Sequence, residues 1–188
     1  MDDLILASRS PRRCELLNRM GLSFETDAAD VDESSDLPAA DTVRLLSSRK
    51  ASAVASRHPG CFILGADTLV SVGGESLGKP ADAADAARML RLLSGRTHQV
   101  FTGVTVISPS GEILTDSDRT DVTFDSLSED EILACVRSGE PMDKAGAYGA
   151  QGRGALFVRA IEGDFFNVMG LPLCRLGEML KKQGVELL

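Results

Sequence analysis

Hydrophobic and polar positions change period many times along the 188 residues, and each change marks an element. The run "LILA" (4–7) is continuously apolar, as in a strand buried on both faces. A helix is predicted over Pro11–Met20, with Ser10 as its N-cap, Pro11 in its first turn and Gly21 ending it. A strand around "LSFETD" and a helix from about Ala40 to Arg57 follow, then a strand over "CFILGADTLV" (61–70) and a helix from Asp82 to Leu93. Two long strands, 98–108 and 112–124, flank the hairpin signal "SPSG". Ser128 and Glu131 form a capping box for a helix through Val136, and "ALFVRAIEG" (155–163) reads as a further strand. The last helix starts near Leu171, with Pro172 in its first turn, and reaches about Lys182. Strands alternating with helices, interrupted by one hairpin, predict an α/β fold with a mixed sheet.

Composition narrows the picture without changing it. With 43% apolar and 26% charged residues, the chain suits one soluble domain, with two lobes at most. A net charge of −8 excludes a broad nucleic-acid-binding face, which needs clustered Lys and Arg. The N-terminal apolar run is too short for a signal segment, and no stretch approaches the ~18 apolar residues of a membrane span, so the expectation is a cytosolic protein that engages no membrane. Cys14, Cys61, Cys135 and Cys174 are widely spaced and form no CxxC pair, which predicts reduced thiols.

Three features carry candidate chemistry. Arg12 and Arg13 fall in the first turn of a helix, where the macrodipole favours negative charge. They are either solvated or paired with Glu15 or a distant acid, or they join Ser8, Ser10 and free backbone N–H groups in a cradle for an anion. On the second helix, Lys50 lies within the apolar stripe of Val43, Leu46 and Val54, whereas Arg44 and Arg49 lie off it and read as surface charges. Lys50 either snorkels outward or aims its ammonium at a fixed negative charge. Asp67 interrupts an apolar strand near its carboxyl end, where ligands collect in open α/β sheets, and a carboxylate is costly to bury unpaired.

Weaker signals accompany these. Lys79 sits in the loop "GKP", and Asp143, Lys144 and Gln151 lie in the Gly-rich "EPMDKAGAYGAQGRG" (140–154), which is either a flexible loop or one that approaches a ligand. Asp32 and Glu33 form an acidic turn, and Glu33 with Asp67 could hold a hard cation together with substrate phosphates. Neither a P-loop nor a dinucleotide fingerprint is present, and His58 and His98 are isolated.

Taken in order, "LILASRSPRRCELL", "VDE", "RKA", "GADTLV", "GKP", "GRTHQVFTGV", "EPMDKAGAYGAQG" and "FNVMGLPL" resemble the Maf family of nucleoside triphosphate pyrophosphatases, over nearly the whole chain. The resemblance implies a single domain over 1–188 whose fold is related to the inosine triphosphate pyrophosphatases, with two lobes around a cleft, and frequent homodimers. It implies hydrolysis of a nucleoside triphosphate to the monophosphate and pyrophosphate with a divalent metal, Mg²⁺ or Mn²⁺. By motif, Asp67 would accept a proton; Ser8, Arg12, Arg13, Lys50 and Lys79 would bind substrate; and Glu33 would assist Asp67 with metal or water. Arg12, Thr68 and Gln151 match the branch that resembles dTTP and UTP pyrophosphatases. The branch similar to 7-methyl-GTP pyrophosphatases differs at these three places and is the alternative. A further alternative, suggested by the family's other name, septum formation inhibitor, is a nucleotide-binding regulator of cell division.

Overall fold

The N-terminal apolar run forms strand β1 (Leu4–Leu6), buried throughout, which hands over to helix α1 (Pro11–Arg19) in a computed structural model that describes residues 3–187. Ser10 occupies the N-cap position of α1, yet its side chain makes no capping bond; Pro11 and the positive φ of Gly21 bound the helix as predicted. The chain continues through β2 (Glu25–Thr26), α2 (Ala39–Ala55), β3 (Phe62–Val72), β4 (Glu75–Leu77) and α3 (Ala83–Leu93). After these come β5 (Thr97–Ile107), β6 (Ile113–Phe124), α4 (Glu129–Arg137), β7 (Val158–Glu162), α5 (Phe165–Met169) and α6 (Leu173–Lys182).

The fold is α/β with a mixed sheet of seven strands. The strand order is β2-β1-β3-β5-β6-β7, with β4 paired to β3. β1 runs parallel to β2 and β3, while β3–β4 and β6–β7 are antiparallel. The capping box of Ser128 and Glu131 on α4 is present. All four cysteines are free.

Three expectations shift. β3 does not stop at Val70 but runs to Val72 and returns as β4, because Gly73 and Gly74 adopt φ of +58° and +87° and so provide a tight hairpin turn. Asp67 therefore lies inside a strand rather than near its end. β7 begins at Val158 rather than Ala155, since residues Arg153–Phe157 close into a 3₁₀ turn. The Gly-rich stretch contains two more such turns, Glu140–Asp143 and Ala145–Ala147.

The chain divides into two compact units. Unit one holds the described residues up to Asp67, residues 102–118, and those from Gly170 onward; unit two holds Thr68–Phe101 and Arg119–Met169. β3, β5 and β6 run through both. Within unit one, Ile5, Ala7, Ala51, Val54, Ile63 and Ile107 pack together. Within unit two, Leu90, Leu93, Val122, Phe124 and Ile132 anchor a larger apolar cluster, and each such side chain contributes about 2 kcal/mol by leaving water.

Candidate active site

Unit one holds Arg12, Arg13, Glu33, Lys50 and Asp67. β1 last pairs with β3 at Leu6 and Leu64, so the chain leaves β1 while β3 continues toward Asp67. Just past this point the Ser8 hydroxyl accepts hydrogen bonds from the Ser10 N–H (3.2 Å) and from Arg13 Nη1 (3.0 Å). Arg13 Nε donates to the Gly170 carbonyl at 2.8 Å. The guanidinium is thus held inside unit one, and Arg13 is only 9% exposed. Burial lowers its pKa, and the negative charges of Asp67 and Glu33 act against that lowering. Of the two arginines, Arg13 braces the loop from within, and Arg12 beside it is half-buried.

Asp67 owes its setting to a close approach of helix and strand. Alternation along β3 puts Gly65 and Asp67 on one face. A Cβ at Gly65 would lie 2.3 Å from the Ser47 carbonyl and 2.8 Å from the Ala51 Cβ, so α2 rests directly on the strand backbone there. α2 meets β5 in the same way, where a Cβ at Gly103 would lie 2.1 Å from the Val43 carbonyl. Ser47, Lys50 and Ala51 share a helix face, and seating Ser47 and Ala51 over Gly65 delivers Lys50 to Asp67. Lys50 Nζ donates to Asp67 Oδ1 at 2.5 Å and pairs with Glu33 Oε1 at 2.7 Å. Asp67 is 8% exposed, and an unpaired carboxylate so buried would cost several kcal/mol. The ammonium in the apolar stripe therefore does meet a fixed negative charge.

Glu33 is presented by a residue that the pattern of the chain passed over. Arg49 Nη1 donates to the carbonyls of Asp32 (2.8 Å) and Ser34 (3.2 Å), bracketing Glu33. Asp32 Oδ1 accepts from the Ser34 hydroxyl and N–H, which lowers the Asp32 pKa. No side-chain pattern announces Arg49, because its partners are backbone carbonyls.

Two carboxylates, Glu33 and Asp67, thus meet at one nitrogen. That donor set suits a hard divalent cation taking its other ligands from phosphate and water. Among the described residues no group of three or more His, Cys, Asp and Glu gathers as a metal site.

Unit two holds the remaining candidates. Thr68 is half-buried on the face of β3 opposite Asp67. Lys79 is exposed in the loop after β4, and the neighbouring Gly78 carbonyl accepts the Gly146 N–H at 3.0 Å, tying this loop to the Gly-rich segment. Gln151 is exposed between the 3₁₀ turns of that segment. The Tyr148 hydroxyl and His98 Nε2 share a hydrogen bond of 2.8 Å in the core. Their rings and that of Phe124 meet edge to face with centroids 4.7–5.3 Å apart. Burial holds the His98 pKa down to about 4 and pushes the Tyr148 hydroxyl up. His98 is accordingly a neutral core residue at physiological pH.

Comparison with known proteins adds the family. The family described as Maf-like protein matches residues 3–183. A dTTP/UTP pyrophosphatase of Moorella thermoacetica is 54% identical over 99% of this chain and 97% of its own length. Another of that name, from Bacillus pumilus, is 46% identical over 98% of both chains. Among solved structures, the Staphylococcus aureus Ham1 protein superposes with a TM-score of 0.56 at 13% identity, covering 97% of this chain and 100% of its own. A HAM1 protein from Coxiella burnetii gives 0.53 at 15% identity with the same coverage. These two likenesses bear on the fold, which is the α/β architecture expected.

Proposed function

Because the chain belongs to the Maf-like protein family, and relatives about half identical to it over nearly their whole length are dTTP/UTP pyrophosphatases, we propose that this protein hydrolyses dTTP and UTP to the monophosphate and pyrophosphate. The observation that carries the chemistry is the buried Asp67 carboxylate, fixed by Lys50 beside Glu33 and near the charge of Arg13.

The mechanism follows from those positions. A water oxygen attacks the α-phosphorus, and the bond from that phosphorus to the bridging oxygen breaks. The electron pair leaves with pyrophosphate, and the water proton passes to Asp67. Lys50 keeps the Asp67 carboxylate at a fixed angle, which a free side chain would have to find at every turnover. Arg12 and the backbone N–H groups at the start of α1 meet phosphate oxygens, while Arg13, committed to Ser8 and Gly170, keeps that loop open to them. Lys79 adds positive charge for the departing pyrophosphate. Glu33 and Asp67 would hold Mg²⁺ or Mn²⁺, which when bound neutralises developing negative charge. Base choice rests on Arg12, Thr68 and Gln151 bonding to the pyrimidine edge, since an unmatched base leaves buried polar groups unpaired.

The reading extends to a homodimer acting in the cytoplasm on free nucleotides, away from nucleic acid and membranes. An overall charge of −8 fits small-nucleotide work better than binding along a phosphate backbone. No helix among the described residues is long and apolar enough to cross a membrane.

The test is pyrophosphate release from dTTP, UTP, CTP, ATP, GTP and 7-methyl-GTP with Mg²⁺ or Mn²⁺. The expected result is release from dTTP and UTP well above the others. Faster turnover of 7-methyl-GTP would move the protein to the other branch. Binding of dTTP without pyrophosphate release would make it a nucleotide-binding regulator.

A further inference from the structure

The segment carrying Gln151 has no helix or strand to hold it, only short 3₁₀ turns. Two side chains do the holding, Glu140 from its first turn and Lys144 just after it. Glu140 places its carboxylate under the backbone just after Gln151, where Oε2 accepts the Arg153 N–H at 3.0 Å and Oε1 the Gly154 N–H at 3.4 Å. A Cβ at Gly152 would lie 2.2 Å from Glu140 Oε1, so the carboxylate fills the space that a side chain there would need. Lys144 Nζ donates to the Glu140 carbonyl and to Asp143 Oδ1, both at 2.6 Å. The Lys144 alkyl chain lies against Gly149, where a Cβ would come 2.8 Å from Cε. Residues 140–144 and 149–154 are thereby clasped together, with Gln151 on the second limb.

We propose that Glu140 is a positioning residue for base selection: its carboxylate sets the backbone path that aims Gln151. The inference rests on the reading, given above, that Gln151 bonds to the pyrimidine. Gln151 is exposed between Ala150 and Gly152, and the backbone from which its side chain starts is the limb that the clasp holds. A carboxylate accepting two main-chain N–H groups is a strong, charge-assisted way to fix that backbone. Discrimination by hydrogen bonds fails when the donor or acceptor is displaced by a fraction of an ångström.

The test compares kcat and KM for dTTP and ATP in the full-length enzyme and in Glu140→Ala, Glu140→Gln, Gly152→Ala, Gln151→Ala and the Glu140→Ala/Gln151→Ala double variant. Loss of the clasp is expected to lower the dTTP over ATP ratio of kcat/KM about tenfold, through KM for dTTP more than through kcat. Glu140→Gln, which keeps one acceptor oxygen, recovers part of the ratio. Gly152→Ala evicts the carboxylate without altering it and reproduces Glu140→Ala, so a folding defect peculiar to one substitution does not decide the matter. The double variant discriminates no worse than Gln151→Ala. An unchanged ratio in Glu140→Ala, an equal loss on both nucleotides, or additive losses in the double variant would each overturn the inference. A wild-type enzyme with no preference for dTTP and UTP over ATP would instead overturn the substrate reading itself, and a Gln151→Ala enzyme that kept the wild-type ratio would overturn the role of Gln151.

Discussion

The two units solve opposite problems of placement. In unit one the functional groups hold one another by charge: Lys50 on α2, Asp67 on β3 and Glu33 on a loop gripped by Arg49. In unit two Gln151 sits between short 3₁₀ turns, and the side chains of Glu140 and Lys144 bond to the backbone of that segment. Charge pairing between side chains suits a group whose ionisation matters, as at a proton acceptor. A carboxylate bonded to main-chain N–H groups suits a group whose direction matters, as at a specificity position. On the function proposed above, the contrast sets the proton acceptor Asp67, in unit one, apart from the base-reading Gln151, in unit two.

The sharpest way to break that separation is Asp67→Asn. The amide cannot take the water proton, and kcat on dTTP is expected to fall by about 10²–10⁴-fold, measured as pyrophosphate release. The dTTP over ATP ratio of the residual activity should stay near the wild-type value. Retention of full kcat would remove Asp67 from its role, and a collapsed ratio would show that the proton acceptor and base choice are not separable.

How far this division was legible in the sequence depends on what each residue touches. Asp67 and Lys50 announced themselves because each breaks an apolar pattern, and a charge at a buried position must have a partner. The Ser8–Arg13 loop was legible from Pro11 at a helix start, although the inward aim of Arg13 toward Gly170 was not, since that partner lies 157 positions away. Arg49 and Glu140 gave no signal. Both bond to backbone carbonyls or amides, which every residue carries, so no pattern of side chains marks them. The extension of β3 to Val72 was readable in principle from the Gly73–Gly74 pair, a hairpin signal between two β-branched or polar runs. The start of β7 was not, because the 3₁₀ turn at 153–157 depends on the clasp around Gly152.

Gly65→Ala tests whether unit one depends on the seat of α2 as claimed. The added Cβ meets backbone, the Ser47 carbonyl at 2.3 Å, and cannot be relieved by turning a side chain. α2 must shift, carrying Lys50 away from Asp67. The expected loss is about 3 kcal/mol in urea denaturation, together with a fall in kcat on dTTP. Gly103→Ala, which meets the Val43 carbonyl at 2.1 Å, should behave alike. Wild-type stability and kcat in either variant would mean that the helix is not seated by these glycines.

The smallest effect expected concerns acid, and it sets unit two apart. His98 is fully buried against Tyr148 and Phe124, and its pKa is held down to about 4, burial being the main cause and the charge of Asp121 opposing it. An unfolded chain carries this histidine near its ordinary 6.5. Between those two pH values the unfolded state binds a proton that the native state does not, so stability contributed here is full above about pH 6.5 and is lost as the pH falls toward 4. From pH 7 to pH 5.5 the loss amounts to about 1 kcal/mol. His98→Asn removes the titration and adds a cost that does not vary with pH, so the stability gap between wild type and variant should narrow by that amount over the same interval. Urea denaturation at the two pH values measures it. A gap that stays constant would mean that His98 titrates in the folded protein as it does in water, and that the core beneath the Gln151 segment is open to protons.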